Sequence, residues 1–504
     1  MSFLKFVSKK PSIMTAQIKI LLTIILMSAA TASAQYNVEW AQGLGGDGWD
    51  EASTCIETRD GDYVVGGYAK LQERNMYVVK LHPDGRGRWG KIYADYATSA
   101  ANCMVQTYDS CIVITGYAIR KREVQSNLLV MKIDTLGNVI WQKLYGGTGD
   151  EEGYKIIETK DHGYAIAGYT TSNHEGKPSW YMLRLDRDGN KLWDKQFMEG
   201  DENRALGIAQ TYDGDFVVTG YIGSDKGGRK NMIVIKLDKW GEEKWMQWFD
   251  FNDWCSGQAV IATRDSNIVV AGFTRAYAIT DYDAIIMKLD NNGDSIWVRT
   301  YGNEDWEEAT DVTETYDGAF VMSGFSKSNK RDISNFLMVK YDSRGNQMWE
   351  FNFKRKSQDY SKSVVETKDH GLLLAGTTNS LGKGWDFGVL KMQNVERTEL
   401  QFYFPSDSIS ATDKSAINVT LCLNSFGIPI NVKVYVNGML QIDENDFIRP
   451  TAADREAGCD FPLSYDVALA YGINTIRYVV RDYKNYEFAK ELKIYRLPRH
   501  RFVR

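Results

Sequence analysis

The sequence predicts an all-β fold, and three observations carry this prediction. Short stretches rich in β-branched and aromatic residues recur along the 504-residue chain. Glycine is plentiful at 44 residues and proline is scarce at 8, which suits many short strands joined by tight turns. No segment keeps a helical period of apolar residues, and one pattern of about 52 residues returns along most of the chain.

Seven copies of one module occupy the region from Trp40 to Lys391. A tryptophan column has spacings of 49 and then 52 residues, at Trp40, Trp89, Trp141, Trp193, Trp245, Trp297 and Trp349. A glycine column keeps the same step at Gly67, Gly116, Gly168, Gly220, Gly272, Gly324 and Gly376. A T-x-D pair begins at Thr58, Thr107, Thr159, Thr211, Thr263, Thr315 and Thr367. A basic column holds Lys80, Lys132, Arg184, Lys236, Lys288, Lys340 and Lys391.

Each module reads as four short strands, which in the third copy are "YKIIETK", "GYAIAGYT", "WYMLRLD" and "KLWDKQF". Repeats of this length with four strands each are typical of propeller blades, so the sequence predicts a seven-bladed β-propeller over residues 35–396. The column tryptophans are expected to pack between neighbouring blades. The basic column is expected to serve as ion-paired scaffold. Because the last module lacks a Trp strand, the strand at 36–42 is expected to join its sheet.

Hairpins alternate between the two ends of a blade, so the T-x-D turns share one uniform face and the variable loops share the other. On the variable face, Trp49, Trp254 and Trp306 fall in one aligned column, beside Asp50, Asp253 and Asp305. Aromatic rings next to carboxylates suit stacking against sugar rings or a protein hot spot. These six residues are the candidate ligand-binding site. The alternative is that the three tryptophans only fill the mouth of the ring.

Residues 1–34 are expected to be a signal peptide, with a basic lead, the apolar core "ILLTIILMSAA" and the small-residue site "ASA". A membrane anchor is the alternative. No later segment is long and apolar enough to span a bilayer. The chain is therefore expected to be exported to the periplasm, cell surface or medium. Removing four lysines with this segment changes the formal charge from −6 to −10, which argues against nucleic acid as a partner.

The repeat stops near Glu399, and residues 397–504 alternate apolar and polar positions in strands of five to nine residues. "YVNG" is a hairpin signal. About 100 residues with roughly seven strands predict a β-sandwich of immunoglobulin type. Of the six cysteines, Cys422 and Cys459 lie in this domain and are the one disulfide pairing considered. Unpaired buried thiols are the equal alternative.

The sequence gives little support for catalysis. Five histidines are scattered without a metal-ligand spacing, and His162 and His370 occupy one turn position in two modules, where they read as turn residues. The acid pairs Glu151/Glu152 and Glu307/Glu308 are interpreted as solvated loop acids. No catalytic residue, metal site or cofactor is therefore predicted.

The region from Trp40 to Lys391 resembles the secreted seven-bladed propellers with repeats of the form "ET.DGGYVVAGYT...D..VVKLD..GN..W" that are common in Bacteroidetes-type bacteria. The stretch "DKSAINVTLCLNS...VKVYVNG" is similar to the Ig-like modules that follow such propellers in surface proteins. The leading hypothesis is an exported, non-enzymatic binding or scaffold protein that takes a protein or glycan ligand on its variable face. The alternative is a polysaccharide-active or quinoprotein-like propeller enzyme.

Overall fold

The computed structural model describes the following residues, and every structural statement concerns these alone: 36–46, 48–70, 72–173, 175–197, 202–223, 230–250, 254–275, 282–302, 306–328, 333–353, 357–382, 384–394, 399–401, 411–412, 416–424, 431–444, 461–470, 472–481 and 487–496. For 399–401, 411–412, 416–424, 461–464, 472, 481 and 487–496, only the backbone is described.

The region from Tyr36 to Asn394 forms seven four-stranded antiparallel sheets, numbered here in chain order. Sheet 1 holds β2 (Trp49–Glu57), β3 (Tyr63–Lys70), β4 (Arg74–Leu81) and β5 (Gly87–Tyr93). Sheet 2 holds β6 (Thr98–Gln106), β7 (Ile112–Ile119), β8 (Ser126–Ile133) and β9 (Val139–Tyr145). Sheet 3 holds β10 (Glu151–Glu158), β11 (Tyr164–Thr170), β12 (Ser179–Leu185) and β13 (Lys191–Phe197). Sheet 4 holds β14 (Glu202–Gln210), β15 (Phe216–Gly223), β16 (Lys230–Leu237) and β17 (Glu243–Phe249).

The remaining three sheets follow the same order. Sheet 5 holds β18 (Cys255–Ala262), β19 (Ile268–Thr274), β20 (Asp283–Leu289) and β21 (Ser295–Tyr301). Sheet 6 holds β22 (Trp306–Glu314), β23 (Phe320–Ser328), β24 (Ile333–Tyr341) and β25 (Gln347–Asn352). Sheet 7 holds β26 (Asp359–Glu366), β27 (Leu372–Thr378), β28 (Asp386–Asn394) and β1 (Tyr36–Leu44). The expected pairing of the first strand with the last module is confirmed, because Trp40 lies opposite Lys391.

The sheets are arranged in a ring, as in a β-propeller. The first strand of each sheet contacts the first strand of the next, and β26 contacts β2. Apolar clusters fill the spaces between neighbouring sheets. The cluster between sheets 7 and 1 combines Val65 and Leu81 with Leu373 and Phe387, all fully buried. Each sheet therefore buries its two faces against two neighbours, which a single four-stranded sheet cannot do alone.

The glycine column lies where two strands approach most closely. Gly168 of β11 faces a bulge in β10, and a Cβ placed on it would lie 1.9 Å from the carbonyl oxygen of Glu152. The other six column glycines face the same bulge, at Cβ-to-oxygen distances from 1.8 to 2.0 Å. Only glycine fits this approach, so the column is a packing requirement of the innermost strand pair.

Eight further strands follow: β29 (Glu399–Gln401), β30 (Ala411–Thr412), β31 (Ala416–Asn424), β32 (Asn431–Val436), β33 (Met439–Glu444), β34 (Phe461–Ala468), β35 (Gly472–Arg481) and β36 (Glu487–Arg496). They form one three-stranded and one five-stranded sheet. The predicted hairpin is confirmed, because Asn437 and Gly438 join β32 to β33 with φ of 52° and 82°. Cys459 and the Cys422 side chain lie outside the described residues, so their pairing stays a prediction.

In the described part of the chain, no helix has the length and apolarity needed to cross a bilayer.

Candidate functional site

The two ends of the ring differ in their side chains. The turn end carries the T-x-D turns, such as Thr58–Asp62, and the turns that precede each Trp strand. In sheet 1, the Thr58 hydroxyl donates to Asp60 Oδ1 at 2.5 Å, and Lys80 Nζ donates to Asp60 Oδ2 at 2.8 Å. The column predicted to be ion-paired scaffold is confirmed in every sheet, by Lys80–Asp60, Lys132–Asp109, Arg184–Asp161, Lys236–Asp213, Lys288–Asp265, Lys340–Asp317 and Lys391–Asp369.

These ion pairs hold the turn aspartates in their charged form. Burial alone would raise the pKa of Asp60, but hydrogen bonds from Lys80 and Thr58 outweigh it and lower the pKa to about 2. The pKa of Asp109 is lowered to about 2 by the same contacts with Lys132 and Thr107, against the same opposing burial. The aspartates of the T-x-D turns are thus structural residues, each paired with a lysine or arginine of its own sheet.

A second set of contacts at the turn end ties each sheet to the next. The residue after the T-x-D threonine donates its backbone N–H to a Glu or Gln side chain of the following sheet. For example, Arg59 N–H donates to Gln106 Oε1 at 2.8 Å. The described contacts of this kind are Arg59–Gln106, Tyr108–Glu158, Lys160–Gln210, Arg264–Glu314, Tyr316–Glu366 and Lys368–Glu57. Between sheets 4 and 5 the acceptor position is Ala262, which has no side-chain acceptor.

The column tryptophans lie between neighbouring sheets, as predicted. Trp193 of sheet 3 donates its indole N–H to the Lys239 carbonyl of sheet 4 at 3.2 Å. Gly241 has φ of 83°, and a Cβ on it would lie 3.0 Å from the Trp193 ring, so this turn also needs glycine. Trp193 is only partly buried. Six of the column rings are partly buried and cover seams between sheets, whereas Trp297 is 8% exposed and packs in the core cluster between sheets 5 and 6.

The mouth end, opposite to the turn end, carries the loops that follow each Trp strand and each "GY". It holds the predicted tryptophans. Trp49 is 45% exposed and stacks on Trp385 of sheet 7, with ring centroids 5.1 Å apart and planes 10° apart. Its indole N–H donates to Glu51 Oε1 at 2.7 Å. One face of the Trp49 ring thus packs on Trp385, and the Glu51 carboxylate fixes the orientation of the indole.

Trp254 and Trp306 meet through a third ring. Tyr282 lies 5.7 Å from Trp254 and 4.9 Å from Trp306, measured between ring centroids. The indole N–H of Trp306 donates to Glu308 Oε1 at 2.9 Å, which repeats the Trp49–Glu51 contact in sheet 6. The structure thus brings two of the three predicted tryptophans into one cluster.

Sequence reasoning missed the residues that extend the Trp49 cluster into sheets 7 and 6. Trp385 also stacks near Tyr360, at 6.2 Å, and Tyr360 packs edge-on against Phe325 of sheet 6 at 5.0 Å. Aromatic side chains therefore follow the mouth through sheets 5, 6, 7 and 1. The "GY" column gave a signal, because Phe325 is its member in sheet 6. In sheet 7 that position is Thr377, and its partner in the register is Tyr360.

Of the three aspartates predicted to bind ligand beside these tryptophans, the one that the structure describes is buried below the mouth surface. Asp50 is 3% exposed, and its two carboxylate oxygens accept backbone N–H groups of Gly46 and Lys70, each at 3.0 Å. Asp253 and Asp305 lie outside the described residues. Asp50 anchors the loop beneath Trp49, and its oxygens are already occupied by the loop backbone.

The interpretation of Glu151 and Glu307 as solvated acids is wrong, because both are fully buried. Glu151 Oε1 accepts the Thr170 hydroxyl at 2.6 Å, and Glu307 Oε1 accepts the Ser326 hydroxyl at 2.7 Å. Together with Asp50 and Asp359 they share one position, eight residues before the T-x-D threonine, where each side chain supports a mouth loop. The missed signal was this alignment with Asp50.

A separate polar group lies near the mouth on the first strands of sheets 2, 3 and 4. Asn102 Nδ2 donates to Glu152 Oε1 at 2.8 Å, and Arg204 Nη1 donates to the Tyr154 hydroxyl. The Arg204 guanidinium also lies 4.4 Å from the centroid of Tyr169. Burial raises the pKa of Glu152, and the hydrogen bond from Asn102 offsets only part of that rise.

An ion pair crosses the channel below the mouth. Lys155 of sheet 3 and Asp311 of sheet 6 lie 3.2 Å apart, Nζ to Oδ1, although they belong to opposite sides of the ring. Burial opposes the Lys155 charge, but the Asp311 carboxylate outweighs it and raises the lysine pKa. Nearby, burial raises the pKa of the Cys55 thiol to about 12, so this cysteine stays protonated. The Lys155–Asp311 ion pair therefore spans the central channel below the mouth end.

The fold defines the chain as a β-propeller protein built of four-stranded antiparallel sheets. No protein family and no curated protein matches its sequence. Among solved structures it is similar to the WD40 domain of Neurospora crassa Pan2, at 10% identity and a TM-score of 0.44, over 72% of this chain and 97% of that one. It is also similar to the Pseudomonas aeruginosa periplasmic gluconolactonase PpgL, at 11% identity and a TM-score of 0.43, over 66% of this chain and 95% of that one.

A third similar structure is an endo-arabinase from Bacteroides thetaiotaomicron, at 10% identity and a TM-score of 0.29, over 47% of this chain and 91% of that one. The three proteins include a domain named for its repeat and two enzymes. At these identities and TM-scores, none of the likenesses transfers an activity or a partner to this chain.

Proposed function

We propose that this chain is an exported, non-enzymatic binding protein that takes a glycan at the mouth end of a seven-bladed propeller. In this proposal residues 1–34 are a signal peptide, 35–396 form the propeller and 397–504 form an Ig-like β-sandwich. The apolar core and "ASA" site of the leader, the repeat and the two C-terminal sheets support these assignments.

The observation that carries the binding proposal is the aromatic arc at the mouth. It comprises Trp49, Tyr282, Trp306, Tyr360 and Trp385, with Trp254 at one end. Trp49 keeps a large exposed fraction although it is stacked on one side. Ring surfaces presented in this way stack against the apolar face of a sugar ring. A rigid ring of sheets holds them in place, which limits the ordering cost of binding.

Acidic and basic side chains both lie near the arc, because Lys327 Nζ is 5.9 Å from the Trp306 ring centroid and Lys230 Nζ is 5.0 Å from the Trp254 ring centroid. Glu51 and Glu308 each sit beside a tryptophan of the arc and accept its indole N–H. An ionised carboxylate can accept about four hydrogen bonds, so both side chains can accept ligand hydroxyl groups in addition to the indole N–H. A neutral glycan satisfies both the stacking and the acceptor groups. A basic protein patch is the competing occupant, because it would pair with the same carboxylates.

The test is binding of the full chain to a glycan array, followed by calorimetry with the best neutral oligosaccharide. Trp49→Ala and Trp306→Ala are each expected to weaken binding by roughly 1–3 kcal/mol, as for an interface anchor. Trp248→Ala is the matched control, because Trp248 is also 45% exposed but lies on the outermost strand of sheet 4. Its affinity should equal that of the unmodified chain.

Three outcomes would overturn the proposal, and a fourth would change the class of ligand. Normal binding by both arc variants would place the ligand elsewhere on the molecule. Release of new reducing ends from a bound polysaccharide would favour the polysaccharide-active alternative, and visible absorbance from a quinone in the purified protein would favour the quinoprotein-like one. Capture of a basic protein, lost in the same two variants, would keep the site but change the class of ligand.

A further inference from the structure

A cleft of 720 Å³ lies at the turn end between sheets 3 and 4, remote from the mouth. Its apolar surfaces are Leu192 and Trp193 from sheet 3 and Phe216 and Trp240 from sheet 4. The Trp193 indole N–H donates to the Lys239 carbonyl. Trp240 directly follows Lys239 in the sequence and lines the cleft beside Trp193. The volume falls within the range of roughly 300–1,000 Å³ that is usual for small-ligand sites.

This cleft departs from the repeat. Trp240 precedes the turn glycine Gly241 and is 64% exposed. The same turn position in the other modules holds Asp84, Leu136, Asp188, Asn292 and Arg344. A large ring at a solvent-exposed turn adds nothing to the seam between sheets, because Trp193 already covers that seam.

A second departure lies next to the cleft. Tyr212 is 85% exposed, whereas its counterparts Tyr108, at 44%, and Tyr316, at 8%, each pack against a histidine of the following sheet. His162 lies 3.9 Å from Tyr108 and His370 lies 3.8 Å from Tyr316, between ring centroids. The corresponding residue beside Tyr212 is Ser266, which is too small to cover a ring. Sheet 4 thus presents two aromatic rings at the turn end, Tyr212 and Trp240, that are 85% and 64% exposed.

The charge of the cleft is opposite to that of the whole chain. Lys160, Lys195 and Lys239 line it, together with the internally paired Arg184 and Asp161. The Lys160 ammonium lies 4.8 Å from the Tyr212 ring centroid and donates to the Tyr212 carbonyl, while the Lys239 ammonium lies 5.1 Å from the Trp240 ring.

The acids around these lysines leave a positive excess. Lys195 is bound by Glu242, at 2.7 Å between Nζ and Oε1. Within the described residues, neither Lys160 nor Lys239 forms an ion pair with a carboxylate. Two cations thus lie beside exposed aromatic rings, in a cleft of small-ligand size.

We propose that this cleft binds an acidic oligosaccharide, in which the aromatic rings stack against sugar faces and Lys160 and Lys239 pair with carboxylate groups. Stacking and charge pairing are both needed, because exposed ion pairs alone contribute little in water. The cleft is independent of the mouth site, because the two lie at opposite ends of the ring and share no lining residue.

The experiment measures binding of tetragalacturonate and of neutral maltotetraose to the full chain by calorimetry. The chain is expected to bind the acidic tetramer and not the neutral one, more weakly as salt rises. Trp240→Ala should weaken binding about tenfold, the effect of losing an anchor worth about 1.4 kcal/mol. Leu136→Ala is the matched control, because Leu136 occupies the same turn position in sheet 2 and is also 64% exposed.

Lys239→Gln should weaken binding with little change in melting temperature, which separates ligand contact from folding. Three results would overturn the inference: no binding of tetragalacturonate, equal losses in Trp240→Ala and Leu136→Ala, or equal binding of a polyglutamate peptide, which would show a response to charge alone. Trp49→Ala should bind tetragalacturonate normally, so failure of the mouth proposal and failure of this one give different patterns.

Discussion

The two ends of the ring use the same residue types for different purposes. At the turn end, every described aspartate of the T-x-D column is paired with a buried lysine or arginine, and its pKa is lowered. At the mouth end, Glu152 is a carboxylate whose pKa is raised by burial. The turn end repeats one solution in each sheet, whereas the mouth differs from sheet to sheet. The repeated ion pairs thus stabilise every sheet alike, whereas both proposed binding sites lie where the sequence departs from the repeat.

The largest predicted effect is a loss of folding stability at acidic pH. The turn aspartates have folded-state pKa values below their unfolded value of about 3.9. Their contribution to the free energy of unfolding is therefore complete above about pH 4 and is lost as pH falls through the folded values, which are about 2 for Asp60 and Asp109. Glu152 has the opposite sign, because protonation relieves its burial.

Urea unfolding measured from pH 7 to pH 2 checks this expectation. Stability should change little, or rise slightly, down to about pH 5 and then fall steeply below about pH 4. Asp60→Asn should lower stability at neutral pH and reduce the acid-dependent fall by the share of one ion pair. A chain equally stable at pH 2 and pH 5 would show that the turn-end pairs contribute nothing.

A tryptophan at each end sharpens the comparison. Trp193→Ala removes a ring that is hydrogen-bonded across the seam between sheets 3 and 4, and it should lower the free energy of unfolding by about 2 kcal/mol. That is less than the roughly 3–5 kcal/mol for a fully buried ring, because Trp193 is partly exposed. Trp49→Ala should cost under about 1 kcal/mol, since its ring is stacked on one side only. Chemical denaturation of both variants measures the contrast, and equal losses would contradict it.

The sequence predicted the features that recur in every module and missed those that join different modules. The repeat period predicted the four-stranded sheets, the strand that joins the first and last modules, and the ion-paired basic column, because each depends on contacts that recur with the period. The Asn437–Gly438 hairpin was predictable from local turn chemistry. The connection from Trp49 through Trp385 to Tyr360 was not, because it joins loops of different modules that only the closed ring brings together.

Burial was the other property that the pattern hid. Glu151 and Glu307 look like surface acids in a loop, yet they anchor that loop from below. Likewise, His162 and His370 take positive φ in their turns, and their rings cover tyrosines of the preceding sheet. Both roles depend on which side chain of a neighbouring strand or sheet each residue contacts. A single sequence does not reveal those contacts.

One substitution is predicted to raise stability, and it lies at the seam between sheets 4 and 5. Six described seams have a backbone N–H donated to a Glu or Gln of the next sheet, and here the acceptor position is Ala262. Ala262→Glu should supply the acceptor for the Tyr212 N–H and raise the free energy of unfolding by about 1 kcal/mol, the usual net value of one hydrogen bond. Ala262→Met adds similar bulk without an acceptor and should give no gain.

Gln106→Ala, at the equivalent position of sheet 2, should lose about as much as Ala262→Glu gains. If methionine stabilises as much as glutamate in urea unfolding, packing rather than the hydrogen bond joins these sheets, and the turn end would owe less of its stability to polar contacts than its geometry implies.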